Sequence, residues 1–170
     1  MEKIADIWNA ELSLTDTQVA LDRARQLDRY CAEMDAQLSL GVRLGEPVSV
    51  GALTTAASML GLLERGSGRF AAVDEQGQQL FSVNTTASPV AIVLTLDVPR
   101  APHKARPFEA MRDTAVELAK RLQGEVVDTE DVVLDEAAFQ AVQTQLAKRY
   151  EQLEQAGMAA GSPTALRLFN

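Results

Sequence analysis

Apolar side chains recur at spacings of four and three residues near the start of the chain. This spacing predicts a helix over residues 14–34, capped by Thr15 or Asp16. The apolar stripe of this helix consists of Ala20, Ala24, Leu27, Cys31 and Met34. Residues 36–44 then alternate between apolar and polar or small side chains, which is typical of a strand with one buried face. A helix followed by a strand is therefore expected.

The middle of the chain predicts a short helix and then an antiparallel meander. Ser49 can cap a helix that runs to about Leu60, with Gly61 as its stop. Three extended stretches with turns between them follow: residues 62–73, with a bend or bulge at Gly66-Ser67-Gly68, then 79–85 and 90–98. The turn between the first two of these stretches is Asp74-Glu75-Gln76-Gly77.

The last third of the chain predicts a helix, a hairpin and a second helix. The first helix runs from Phe108 to Leu122 and is ended by Gly124, and the hairpin pairs residues 125–127 with 132–134. The second helix has an apolar stripe formed by Phe139, Val142, Leu146, Tyr150 and Leu153. Glycines and a proline then indicate an irregular tail.

This order of elements predicts an α+β fold, a six-stranded antiparallel sheet with three helices on one face, preceded by an N-terminal helix. The expected division is a helical segment over 1–34, a domain over 35–156 and an irregular tail over 157–170. Helices on one face leave the other sheet face open, and an open face is a place where a peptide or helix can dock.

Composition narrows the class of protein. The chain has 170 residues and a formal net charge of −8, which argues against nucleic acid or an anionic membrane surface as a partner. The single Cys31 cannot form an internal disulfide, which favours a reducing cytoplasm. Apolar runs are too short for a membrane span, and the start lacks the pattern of a secretory signal. A soluble intracellular domain, or a fragment of a longer protein, is expected.

No residue pattern predicts an enzyme, a metal site or a cofactor site. His103 lies in a basic connection and could act as a general base, but a solvated connector is the favoured interpretation. The acidic residues between Asp128 and Glu136 lack the glycine of a calcium loop, so turn formation and helix capping explain them better. Gly66–Arg69 lacks the ending of a phosphate-binding loop, and Cys31 is interpreted as a packed thiol.

Residues 80–83 (LFSV), 93–99 (VLTLDVP) and 124–128 (GEVVD) together resemble the C-terminal, FtsZ-binding domain of the bacterial cell-division protein ZipA. The resemblance extends from about Ala36 to Tyr150. The flanking segments 24–28, 35–39 and 160–162 are similar to divergent ZipA-related proteins of betaproteobacteria. The resemblance implies a split β-α-β domain that binds the C-terminal peptide of FtsZ along a shallow groove on the exposed sheet face. In that family a membrane helix and a linker elsewhere in the chain provide the tether to the inner membrane.

Strand alternation identifies the outward positions of the exposed face. The predicted partner-binding residues among them are Gln37, Ser39 and Gly41 on the first strand, Ser82, Asn84 and Thr86 on the third, and Val93 and Thr95 on the fourth. Arg43 and Asp97 are also outward. Positions that match the family's apolar groove are here Gln37, Thr86 and Thr95. A polar face loses apolar contact area, worth roughly 25 cal/mol per Å², and with it much of the driving force for docking an amphipathic peptide.

The sequence of residues 163–169 (PTALRLF) is similar in order to the FtsZ tail peptide, so the tail could fold back over the sheet face. Packing of Leu166, Leu168 and Phe169 on the helices is the favoured alternative. The overall expectation is a non-enzymatic adaptor for FtsZ or another divisome component, with no direct membrane contact by this part of the chain. A structural or self-associating module of the same fold is the second hypothesis, and a small-ligand domain with His103, Lys104 and Arg106 facing an anion is the third.

Overall fold

The computed structural model describes the backbone of residues 2–169 and the side chains of residues 18–169. The chain divides into two compact units, one up to Asp35 and one from Ala36 onward. The first unit is a single helix, α1 (Glu2–Met34), which begins before the predicted start at residue 14. The side chains of Thr15 and Asp16, the predicted caps, lie outside the described residues. Ala20, Ala24 and Leu27 of its apolar stripe are exposed.

The second unit is an α+β domain built on one antiparallel sheet, which confirms the predicted fold class. Its strands are β1 (Gln37–Leu44), β2 (Leu63–Gly66), β3 (Arg69–Val73), β4 (Gln79–Ser88), β5 (Ala91–Asp97) and β6 (Gly124–Val127). Its helices are α2 (Val50–Met59), α3 (Pro107–Leu122), α4 (Glu136–Gln155) and the short α5 (Pro163–Leu168), with a 3-10 turn at His103–Ala105. The strand order in the sheet is β2-β3-β4-β5-β1-β6, so the strand nearest the start of the unit lies between β5 and β6.

Alternation along the central strands separates a buried sheet face from an open one. On the buried face Leu40 lies opposite Leu94 and Val42 opposite Ile92, and all four side chains are at most 2% exposed. The helix α3 lies against β1, β4, β5 and β6 and covers this face with its apolar stripe. The core therefore sits between the sheet and the helices, as amphipathic strands and helices require.

Side-chain caps fix where the helices begin. The Ser49 side chain accepts a hydrogen bond from the Ala52 N–H, and the Asp135 carboxylate accepts one from the Ala138 N–H. Gly61, with φ of +73°, ends α2 as predicted. Among the helices of residues 2–169, none combines the length and the apolar character needed to cross a bilayer.

The stretch 62–73, expected as one bent strand, is a hairpin. Ser67 and Gly68 connect β2 to β3 with φ of 53° and 70°. Positive φ at both central residues is the geometry of a type I′ turn, which joins two antiparallel strands rather than bending one. The expected partner of β6 at 132–134 is reduced to an isolated bridge between Val127 and Val133. The sheet thus has the predicted six strands, but they are divided differently along the chain.

Two predicted ends also differ from the structure. Gly124 does not end α3, because Gln123 takes the left-handed conformation at φ of 55° and Gly124 is already part of β6. A Cβ on Gly124 would clash with the Arg43 carbonyl oxygen, so the glycine allows β6 to approach β1. The tail, expected to be irregular, contains α5, whose cap is the Ser162 side chain.

Candidate partner-binding face

The candidate site is the open face of the sheet, opposite the helix-covered core. Ser39 of β1 lies opposite Thr95 of β5, and Gly41 lies opposite Val93. On the other side of β5, Ser82 of β4 lies opposite Thr95 and Asn84 opposite Val93. These positions therefore form two rows across three neighbouring strands, and each of them retains partial solvent exposure.

The outer positions of the predicted site depart from these two rows. Gln37, at the first residue of β1, is exposed opposite Asp97. Thr86 is also exposed, but it lies in an irregular segment between Asn84 and Ser88 where the pairing of β4 with β5 is interrupted. The Asn84 side-chain oxygen accepts hydrogen bonds from both the N–H and the hydroxyl of Thr86 at 2.9 Å. Strand alternation therefore does not place Thr86 in the two rows formed by the other residues.

Hydroxyl groups at the centre of this face bond to one another and to the backbone. The hydroxyls of Ser39 and Thr95 are 3.2 Å apart, and the Ser82 hydroxyl donates to the Thr95 carbonyl oxygen at 3.5 Å. A hydroxyl offers one donor and two acceptor positions, so these groups keep capacity for a further partner. The face can thus bind polar groups of a peptide as well as small apolar ones.

One end of the open face is closed by charged side chains. The Arg43 guanidinium donates to the Glu125 carboxylate at 2.7 Å and to the Asp131 carboxylate at 2.8 Å. These hydrogen bonds raise the pKa of Arg43 above its ordinary value. Val127 of β6 lies beside them opposite Gly41, where the missing side chain leaves it room. The alternation in the sequence could not find Val127, because the pairing of β6 with β1 had to be known.

The other end of the open face is bordered by the tail. Leu80 lies where the pairing of β4 with β3 shifts its register, and it is only 9% exposed. Leu166 of α5 lines a cavity of about 360 Å³ together with Leu80 and Asp97. The tail is held there by hydrogen bonds from the Gly161 N–H to the Pro99 carbonyl oxygen and from the Gln78 side chain to the Gly161 carbonyl oxygen, both 2.9 Å.

His103, Lys104 and Arg106, the residues considered for binding an anion, have different surroundings in the structure. The rings of His103 and Tyr150 stack with centroids 3.9 Å apart, and with Lys104 they line a cavity of about 350 Å³. Arg106 instead forms an ion pair with Glu109 at 3.2 Å. Burial, with a smaller effect of the Glu109 charge, raises the pKa of Tyr150 to about 12.

The acidic segment before α4 acts in turns and caps. The Asp128 carboxylate accepts hydrogen bonds from the N–H groups of Glu130 and Val132, and Asp135 caps α4. Within residues 18–169, His, Cys, Asp and Glu side chains form no group of three that could hold a metal ion. Burial and the neighbouring Asp28 raise the pKa of the half-buried Cys31 thiol, which makes it less reactive.

The candidate face lies within the part of the chain that matches a known family. A search of curated proteins found no match to the chain. The family model described as ZipA, C-terminal FtsZ-binding domain matches residues 36–145. This segment contains all six strands of the sheet and every position of the candidate face. The chain belongs to the family of ZipA C-terminal, FtsZ-binding domains.

Proposed function

We propose that this chain is a non-enzymatic cell-division adaptor whose open sheet face binds the C-terminal peptide of FtsZ. The observation that carries the proposal is the family match over residues 36–145, since this segment builds the whole sheet. Within it, the rows formed by β1, β4 and β5 retain solvent exposure while the opposite face is filled by the core. An open sheet face between charged and apolar borders is a suitable surface for an extended or helical peptide.

The contacts proposed for the peptide are mixed in character. Val93 supplies the apolar centre, while Ser39 and Thr95 supply hydroxyls beside it. Because this surface is small and polar, apolar burial provides only part of the binding free energy. Hydrogen bonds to the hydroxyls contribute the rest and make binding depend on their geometry.

The proposal is tested by titrating the full chain with a fluorescent C-terminal peptide of FtsZ from the same organism, at two salt concentrations. Saturable binding in the micromolar range is expected. Val93→Asp and Thr95→Asp should each abolish it, because each puts an unpaired charge into the contact. Val50→Asp is the matched control, since Val50 is 68% exposed at the start of α2 and outside the face. Equal binding by all three variants would contradict the proposed face.

The tail is proposed to compete with the peptide for one end of the face. Leu166 lines a cavity together with Asp97, which shares the open side of β5 with the proposed contact residues Val93 and Thr95. Deleting residues 161–170 should therefore increase the affinity for the peptide. A shorter deletion of 163–170 keeps the two hydrogen bonds of Gly161 and separates competition from loss of local structure. Unchanged affinity in both deletions would contradict competition by the tail.

A second function, a structural module of the same fold without FtsZ binding, is favoured by the polar character of the face. Ser39 and Thr95 already bond to each other, as solvated sheet residues do. Absence of peptide binding by the full chain and by the tail deletions would support this function over the adaptor. A self-associating domain would instead show a mass that rises with concentration and falls in the Val93→Asp variant.

The proposed site of action is the inner face of the bacterial inner membrane, at the division septum. A tether in another part of the full-length protein would place the domain there, as the resemblance to ZipA implies. A fluorescent fusion of the full-length protein should form a band at midcell. Diffuse fluorescence in dividing cells would contradict this location.

A further inference from the structure

A cavity lies between the 3-10 turn at His103–Ala105, the C-terminal half of α4 and the loop that precedes α5. Its volume is about 350 Å³, which is within the range of small-molecule sites. The stacked rings of His103 and Tyr150 line it together with Ala159 and Ala160. The cavity therefore offers a flat, largely apolar surface, and none of its lining residues belongs to the candidate partner-binding face.

The backbone around this cavity is held in place. The Gly161 N–H donates to the Pro99 carbonyl oxygen and the Met158 N–H to the Leu153 carbonyl oxygen, both at 2.9 Å. A Cβ on Gly161, whose φ is +75°, would lie 2.6 Å from the Cα of Pro102, so the loop packs directly on the start of the 3-10 turn. Because these contacts order the lining of the cavity in advance, a ligand loses little free energy in ordering it.

Two side chains of opposite charge, those of Lys104 and Glu154, line the same cavity. Within residues 18–169 neither takes part in an ion pair, whereas Arg106 of the same basic connection pairs with Glu109 at 3.2 Å. The Lys104 ammonium group and the Glu154 carboxylate are thus too far apart to neutralise each other directly. Separate opposite charges around one apolar cavity match a ligand that carries both an anionic and a cationic group.

We infer that this cavity binds a free α-amino acid with an aromatic side chain. The carboxylate of the ligand pairs with Lys104, its ammonium group pairs with Glu154, and its ring lies against the rings of His103 and Tyr150. A simple anion would be repelled by Glu154 and by the net charge of −8 of the chain, whereas a zwitterion brings no net charge. Each end of a peptide carries only one of the two charges, so a free amino acid fits better.

The cavity is built largely by a part of the chain outside the family match. That match ends at residue 145, before Tyr150, Glu154 and the loop over 157–162. The inference therefore does not rest on the proposed binding of FtsZ, and a ligand here does not depend on what binds the sheet face.

Calorimetric titration of the full chain with L-tryptophan tests the site. Saturable binding is expected, together with a melting temperature that rises with the ligand concentration. Lys104→Gln and Glu154→Gln should each weaken binding about three- to tenfold, because each removes one charge-assisted contact. Lys120→Gln on α3 and Glu151→Gln on α4 are the matched controls, since both side chains are exposed and neither lines the cavity. Absence of saturation at millimolar tryptophan, or equal losses in the variants and the controls, would overturn the inference.

Analogues that lack one charge test which residue each group of the ligand contacts. Tryptamine lacks the carboxylate, so Glu154→Gln should weaken its binding and Lys104→Gln should not. Indole-3-propionate lacks the ammonium group, so the effects of the two variants should be reversed. Both analogues should bind more weakly than tryptophan. Equal responses of the two variants to both analogues would overturn the proposed orientation.

The contact with the aromatic rings has a separate test. His103→Ala removes one ring of the stacked pair, so it should weaken the binding of L-tryptophan more than that of L-leucine. His103→Phe keeps a ring at this position and should retain most of the preference for tryptophan. Equal losses for both amino acids in His103→Ala would overturn the ring contact, and melting of the unliganded variants by circular dichroism checks that the fold is unchanged.

Discussion

The two faces of strand β5 differ in almost every physical respect, although their residues alternate along one backbone. Leu94 and Leu96 are 0% exposed and lie in the core beneath the helices. Val93 and Thr95, their immediate neighbours, point to the open face and keep contact with solvent. Folding therefore constrains the covered face by volume and shape, whereas the open face is not held by packing.

Exposed and buried hydroxyl groups differ in their hydrogen bonding. On the open face the Ser39 and Thr95 hydroxyls lie 3.2 Å apart and bond to each other. The Tyr150 hydroxyl of α4, in contrast, is buried and has no hydrogen-bond partner among the described residues. A buried hydroxyl without a partner costs free energy, whereas hydroxyls that bond to each other avoid this cost.

The largest expected effect comes from shortening a side chain on the covered face. Leu94→Ala should lower the free energy of unfolding by about 2–5 kcal/mol, since it removes apolar contact and leaves a cavity. Val93→Ala, one residue away on the open face, should cost well under half as much. Urea denaturation of both variants measures the difference. Similar losses would show that the open face is packed as tightly as the core.

A smaller loss is expected where β6 meets β1. Gly124→Ala would place a Cβ against the Arg43 carbonyl oxygen, so the strands must move apart. The expected destabilisation is about 1–3 kcal/mol, the range for overpacking. Gly45→Ala is the control, because a Cβ there meets nothing within 4 Å. Equal urea midpoints for the two variants would contradict a close approach of β6 to β1.

The sequence predicted best those elements whose signal is local. The alternation over 36–44 identified β1 to within one residue, and Ser49 and Gly61 bounded α2. The hairpin of β2 and β3 was missed because two glycines around Ser67 fit a bulge as well as a turn. Only the pairing of the strands distinguishes these two, and pairing is not local.

The sequence likewise predicted only those parts of the candidate site that have a local signal. Alternation identified Ser39, Gly41, Val93 and Thr95 as one side of the sheet, which the register of β1 and β5 confirms. It could not place Val127 or the tail beside them. Val127 depends on how β6 pairs with β1, and Leu166 depends on contacts of Gly161 with residues far away in the sequence. The border at Val127 therefore has no local signal, and the only sequence signal for the tail was the similarity of residues 163–169 to the FtsZ peptide.

The free energy of unfolding should fall at alkaline pH because Tyr150 is buried. Burial raises the pKa of this hydroxyl to about 12, so between pH 10 and 12 the unfolded chain loses the Tyr150 proton while the folded chain keeps it. Stability should therefore fall as the pH rises through this range, since the folded state binds more protons. Tyr150→Phe should make the decline shallower and leave stability near pH 8 unchanged or slightly higher. Urea midpoints at pH 8 and between pH 10 and 12 measure this difference. An identical decline of the midpoint with pH in the two proteins would contradict it.

The smallest effect is expected at the charged border of the open face. Arg43 bonds to both Glu125 and Asp131, yet all three side chains are well exposed, at 37%, 59% and 65%. Exposed ion pairs contribute about 0–1 kcal/mol each, because water screens the charges and the side chains lose conformational freedom. Arg43→Gln should thus lower stability only slightly, and the difference should shrink near 1 M salt, where charges are screened beyond about 3 Å. A loss as large as that of Leu94→Ala, unchanged by salt, would mean that the open face stabilises the fold as much as the covered one.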